Sequence, residues 1–226
     1  MNNNYLYLIW KDPQTRQNFT IGKLYRGEKY TFEYFKDVGK AENNGWTKFE
    51  VFPEEKIYES EVLFPVFASR LPDKKRRDID KILEKYNLSE YDEFELLRKS
   101  GARLPIDTYS FIDPIFPMEQ TVQCDFFVMG VRHYMLCQGK DCSLLSGVNI
   151  GDELSFEMEP ENNYDANAIK VKTKLGEVLG YVPRYYSAVI GEYLNKGMTY
   201  SCKIIDISLY QDCSECIKVR FNMPKE

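Results

Sequence analysis

The stretch that decides the fold runs Glu161-Asn162-Asn163-Tyr164-Asp165-Ala166-Asn167-Ala168, then Ile169-Lys170-Val171-Lys172, then Leu179-Gly180-Tyr181-Val182-Pro183-Arg184. Its first segment is rich in Asn and Asp, whose side chains bond their own backbone and so favour turns. The second alternates apolar and basic residues with a period of two, the pattern of a strand with one face buried. A second short strand then ends in a Gly-Tyr-Val-Pro turn, and Tyr185 and Tyr186 open a helix. Turn, strand, glycine turn, strand and helix start thus follow one another within 26 residues, from 161 to 186.

Working outward, residues 121–226 read as six short strands, at 122–129, 153–158, 168–173, 177–181, 200–209 and 216–221. One helix interrupts them, with Tyr186, Ile190, Tyr193 and Leu194 on its inner face and Gly197 at its end. This predicts a mainly-β domain that closes, or partly closes, into a small barrel, because closure removes edge strands. The first half differs: three strands at 5–10, 20–25 and 30–35 are followed by two helices. One is capped by Asp73 and carries Ile79, Ile82, Leu83 and Tyr86; the other is capped by Ser89, carries Phe94, Leu96 and Leu97, and stops at Gly101. That is an α+β domain, a small sheet plus two helices. The proline-punctuated run 112–117 places the boundary near 118, giving domains 1–118 and 119–226.

Charge limits what the chain can bind. Residues 1–120 hold 19 Lys and Arg against 21 Asp and Glu, and residues 121–226 hold 11 against 14, so neither half has the basic excess of a duplex-tracking protein. Any nucleic-acid contact is therefore local. No apolar run is long enough to span a membrane, and Met1-Asn2-Asn3-Asn4 lacks the basic and apolar regions of a signal peptide, so the expected location is cytoplasmic. The six cysteines are then expected to be reduced.

The 161–184 pattern closely resembles the HIRAN domain, whose mark is an Asn-Pro-Tyr-Asp-x-Asn-Ala-Ile turn followed by a Gly-Tyr-[Ile/Val]-Pro turn. The departure is Asn163 in place of proline, which leaves the hydrogen-bonding residues of the turn in place. The resemblance implies an OB-like barrel that binds DNA and, as in the best-understood members, the 3′ end of a single strand. By that resemblance Arg132 and His133 contact phosphate and sugar, and Tyr134 stacks on a base or packs beneath it. Asn162 and Tyr164 line the same pocket, Asp165 accepts a hydrogen bond from the terminal hydroxyl, and Arg184 reaches a phosphate from the helix start. A stacked base contributes about 1–3 kcal/mol, so one or two rings and a few charges hold a strand end without a basic surface. Each residue also has a structural reading: Tyr164 and Tyr181 as barrel wall, Asp165 and Asn167 as ties within their own turn, His133 as cover for an apolar edge.

In the first half, Ser60-Glu61-Val62-Leu63-Phe64-Pro65-Val66-Phe67-Ala68-Ser69-Arg70-Leu71-Pro72-Asp73 and Phe94-Glu95-Leu96-Leu97-Arg98-Lys99-Ser100-Gly101 resemble the N-terminal subdomain of HipA-type serine/threonine kinases. The catalytic part of those kinases needs far more chain than remains here. The resemblance implies a bacterial antitoxin-like module, which binds and restrains a HipA-type kinase in a toxin–antitoxin or antiphage system. Trp46, in Asn43-Asn44-Gly45-Trp46-Thr47, is a candidate exposed anchor for that partner; the alternative is a partly buried loop tryptophan.

Catalytic and metal chemistry find little support. His133 is the sole imidazole, and no phosphate loop, nucleotide fingerprint or Ser/His/Asp elbow is present. Cys213 and Cys216 form a Cys-x-x-Cys pair, to which Cys137 and Cys142 add at a spacing that zinc permits, but without strong zinc context. No cofactor, metal or catalytic residue is expected. The competing readings are a purely protein-binding antitoxin subunit and a small metal-dependent hydrolase or nuclease using barrel carboxylates.

Overall fold

In a computed structural model, residues 4–115, 121–135, 147–208 and 215–224 are described. The chain forms two compact units, Met1–Pro114 and Ile115–Glu226.

The first unit is α+β. Strands β1 (Tyr5–Lys11), β2 (Asn18–Arg26), β3 (Tyr30–Tyr34), β4 (Tyr58–Ser60) and β5 (Tyr109–Ile112) make one antiparallel sheet in the order β4-β3-β2-β1-β5. Period-two alternation sends Leu6 and Leu8 of β1, Leu24 of β2 and Phe32 of β3 to one face. There they pack with Val38 and Ala41 of α1 (Val38–Asn43), Phe67 of α2 (Pro65–Ala68), and Phe94 and Leu97 of α4 (Glu93–Ser100). Gly22 makes room for this core: a Cβ there would lie 2.5 Å from the Phe32 ring.

The helix starts differ from the expected caps. Helix α3 (Ile79–Lys85) begins after Asp78, and Asp73 instead accepts a hydrogen bond from the Lys75 amide at 2.7 Å, closing a turn of its own. Helix α4 is capped by Asp92, not Ser89; its carboxylate accepts from the Glu95 amide at 3.0 Å and is held by Arg26 at 2.7 Å. Gly101 ends α4 in the left-handed conformation, φ 69°.

Arg70 fastens the Phe67–Asp73 segment to the stretch that follows α4. Its side chain, 7% exposed, grips Asp107 with two hydrogen bonds of 2.6 and 2.9 Å and donates to the carbonyls of Ala102 (2.9 Å) and Tyr109 (3.1 Å). Burial pushes the Asp107 carboxyl up, but the Arg70 bonds outweigh it and hold it below the usual carboxylate range.

Trp46 does not project into solvent. It is 4% exposed, donates its indole N–H to the Tyr109 hydroxyl at 2.9 Å, and packs edge-on against Tyr34 and Phe49. The expectation of an exposed partner anchor at Trp46 is corrected: a ring this size removes more apolar area from water inside an aromatic core than on a loop.

The second unit is β-rich. Strands β6 (Val122–Phe127), β10 (Ser201–Ile207) and β11 (Ile217–Met223) form one antiparallel sheet, and β7 (Leu154–Met158), β8 (Ile169–Thr173) and β9 (Val178–Tyr181) a second. Two bridges join them, Glu153 with Lys203 and Met129 with Tyr181, so the strands close into a barrel. Its interior holds Phe126, Val128, Ile169, Val171, Leu179, Ile204, Ile217, Val219 and Phe221. Among the described residues two helices accompany the strands, α5 (Val131–Tyr134) and α6 (Arg184–Asn195). Gly191 of α6 faces the barrel, where a Cβ would make an ordinary contact of 3.6 Å with Met158 Cε.

Candidate nucleic-acid interface

The Gly-Tyr-Val-Pro turn builds the site by a close approach of two backbones. At Gly180 (φ 154°) a Cβ would strike the Met129 carbonyl oxygen, so only glycine lets Met129 and Tyr181 exchange their N–H···O bonds, each 2.8 Å. This pairing closes the barrel. It also sets the following turn, Gly130 (φ 77°) and α5, beside β9.

As a result Tyr134 on α5 donates its hydroxyl hydrogen to the Tyr181 hydroxyl at 2.9 Å, with the rings edge-on at 5.6 Å. Tyr181 donates in turn to Glu159 Oε2 at 2.7 Å. The same carboxylate accepts from the Asn162 amide at 2.7 Å and faces Lys170 Nζ at 2.7 Å. Bonds from Lys170, Asn162 and Tyr181 hold the Glu159 carboxyl down at about 2. Burial, then the bonds with Tyr134 and Glu159, push the Tyr181 phenol well above its usual range. Glu159 is therefore an anionic hub and Tyr181 stays protonated.

The turn at 161–168 hangs from this hub. Asn162 Oδ1 accepts from the amides of Tyr164 (2.9 Å) and Asp165 (3.2 Å), which closes the turn without the proline that Asn163 replaces. Asp165 Oδ1 accepts from the Asn167 amide at 3.0 Å. Its other oxygen has longer contacts, Ser187 Oγ at 3.4 Å and Arg184 Nε at 3.7 Å, at the start of α6. Asp165 thus ties its own turn with one oxygen and points the second toward the helix end.

Of the residues singled out in the sequence, the structure links Tyr134, Asn162, Asp165 and Arg184 through one run of polar contacts. Arg132 and His133 are exposed on α5, and among the described residues their side chains have no hydrogen bond or ion pair. Tyr164 stands apart: the residue is 85% exposed and does not line a wall. Glu159, Lys170 and Ser187 were not singled out. The cross-strand register, which pairs Met158 with Ile169 and Glu157 with Lys170, brings Glu159 to Lys170, and no local pattern shows that.

The barrel carries further cations, most of them matched, while Lys218 on β11 lies over the Phe127 ring at 5.7 Å. Lys172 pairs with Glu157 at 2.6 Å and Lys174 with Glu153 at 2.9 Å, in line with the Lys170–Glu159 pair. Cys202 lies inside the barrel, where burial pushes its thiol up to about 12. Of the four cysteines weighed as zinc ligands, Cys137, Cys142 and Cys213 lie outside the described residues. Among the described residues no helix is long and apolar enough to cross a membrane.

Comparison with known proteins gives each unit a family. The HIRAN domain model matches residues 122–215, and the HipA N-terminal domain model matches residues 16–105. The chain joins a HipA N-terminal domain to a HIRAN domain. A crystal structure of the HIRAN domain of human HLTF is 20% identical over 49% of this chain and 84% of that chain, with a TM-score of 0.36. A crystal structure of a protein from Lactobacillus plantarum is 18% identical over 46% of this chain and 99% of that chain, with a TM-score of 0.35. No curated protein matched the chain.

Proposed function

We propose that this chain is a non-catalytic adaptor: its HIRAN barrel binds DNA at the 3′ end of a single strand, and its HipA N-terminal domain binds and restrains a HipA-type serine/threonine kinase. The observation that carries the DNA half is the contrast between the lysines of β8 and the turn after it, which are matched, and the cations of α5, which are not. Lys170, Lys172 and Lys174 each face a glutamate. Arg132 and His133, exposed on α5, face none among the described residues and adjoin Tyr134, which the hub holds in place. A short run of cation, imidazole and ring on a braced turn fits a few contacts to phosphate, sugar and base. Arg184 and the amides at the start of the 12-residue α6 add a second place for a phosphate, beside the Asp165 oxygen that a terminal hydroxyl can reach.

The kinase half rests on the match at residues 16–105. A domain that in a HipA kinase packs against the rest of the enzyme retains a surface suited to that partner when encoded separately. The test is co-expression of the full chain with a genetically linked HipA-type kinase. The chain should co-purify with the kinase and suppress its toxicity, and Arg132→Ala should preserve both effects while weakening DNA binding. Loss of kinase restraint in Arg132→Ala, or no association at all, counts against the division of labour.

A further inference from the structure

The densest basic run of the chain lies in the first unit, outside the barrel domain. Residues 74–85 contain six cations, Lys74, Lys75, Arg76, Arg77, Lys81 and Lys85, against three carboxylates, Asp78, Asp80 and Glu84. This gives a local charge of +3 in a chain of −5, and leaves −8 on the remaining residues. All six cations are exposed.

Most other cations of the same unit are matched. Arg26 meets Asp92, Lys29 meets Glu61, Lys48 meets Glu42 and Glu55, Lys56 meets Glu54, and Arg70 meets Asp107. Among the described residues, Arg76 alone of the basic run faces a carboxylate, that of Asp78. Among the described residues Lys74, Lys75, Arg77, Lys81 and Lys85 have no ion-pair partner. Placing unpaired like charges side by side costs stability, a cost that a bound polyanion removes.

The run is also held in shape. Asp73 accepts from the Lys75 amide at 2.7 Å, and the Arg76 amide bonds the Asp73 carbonyl at 3.0 Å, so the turn before α3 is fixed. Beside it, Tyr91 donates to the Pro72 carbonyl at 2.8 Å, which sets its ring under Lys74 Nζ at 5.8 Å. Lys85 Nζ lies 5.3 Å from the Tyr86 ring. Cations interleaved with half-exposed tyrosines suit a nucleic-acid strand, which offers phosphates to the cations and base faces to the rings.

We infer that the turn at Lys74–Arg77, with Lys81, Lys85, Tyr86 and Tyr91, is a second nucleic-acid contact, on the HipA N-terminal domain. It binds the phosphate backbone without regard to ends or sequence. This does not rest on end recognition by the barrel, and its test uses DNA without ends.

Full chain and the triple variant Lys74→Ala/Lys75→Ala/Arg77→Ala are titrated with closed circular single-stranded DNA at a series of salt concentrations. Wild type should bind at low salt, and log K should fall linearly with log salt. With about 0.7 of a counterion released per neutralised phosphate, the triple variant should lose roughly 2 units of slope. The charge-keeping variant Lys74→Arg/Lys75→Arg/Arg77→Lys should keep the wild-type slope. Preference of either variant for a free over a phosphorylated 3′ end should not change. The inference is overturned by a wild-type slope in the triple variant, or by no binding to circular DNA at low salt. It is also overturned if poly-L-glutamate of matched charge displaces the DNA as well as DNA itself does, an outcome that would make the patch a site for acidic protein.

Discussion

The Tyr181 hydroxyl donates to Glu159 at 2.7 Å, and through this bond the strand that ends in the Gly-Tyr-Val-Pro turn holds the Asn162 turn in place. Without the carboxylate, Lys170 loses its partner, and Asn162 and Tyr181 lose an acceptor. Glu159→Gln should leave the barrel folded, because Glu159 lies on its outer face, yet weaken single-stranded DNA binding several-fold by loosening Tyr134. Tyr181→Phe should do the same. Circular dichroism with parallel binding titrations checks this; unchanged binding in both variants removes the hub from the site.

The same carboxylate sets a pH dependence. Its value is depressed from an ordinary 4.5 to about 2, so its contribution is fully present above the ordinary value and fades as pH falls toward 2. The Tyr134–Tyr181–Glu159 run should therefore stay intact at a pH where free glutamate is already largely protonated. A carboxyl-carbon NMR titration of Glu159 measures it directly. Titration near the value of a free glutamate contradicts the geometry.

Gly180→Ala tests how the barrel closes. The added methyl meets the Met129 carbonyl, so the paired bonds between Met129 and Tyr181 must part or the strand must bend. A loss of about 1–3 kcal/mol in urea unfolding is expected, with a matching loss of DNA binding. Wild-type stability would show that the approach tolerates a side chain.

Trp46 separates core from interface. Trp46→Ala should cost about 3–5 kcal/mol, as for a buried aromatic. Trp46→Phe should cost only about 1 kcal/mol, chiefly the bond to Tyr109, and should leave kinase association intact. If Trp46→Phe abolishes association at near-native stability, the ring serves the partner after all.

Much of this architecture is written in local sequence. Alternating residues mark the strands, and the Asn162–Asn167 and Gly180–Pro183 turns mark the barrel, because short-range hydrogen bonding and backbone sterics act over a few positions. What depends on distant partners is not legible. Ser89 and Asp92 are both able caps, and Asp92 prevails in a structure where Arg26 holds it. Trp46 sits in a polar Asn-Asn-Gly-Trp-Thr run, and only the fold brings the Tyr109 hydroxyl to its indole. Glu159 belongs to the site through strand register and through a tyrosine 22 residues away. The exposure of Tyr164 shows the reverse: a motif position need not line the wall its spacing suggests.

End recognition is the claim most exposed to a single measurement. Fluorescence-anisotropy titrations of the full chain should be run with short single-stranded DNA bearing a free 3′ hydroxyl, the same strand with a 3′ phosphate, and the same 3′ end buried in a duplex. The salt should be high enough to suppress contacts made by backbone charge alone. The account predicts clear binding to the free end and a marked loss with both blocked forms, with Arg132→Ala and Asp165→Ala weakening only the free-end complex. Equal affinity for all three DNAs would contradict it.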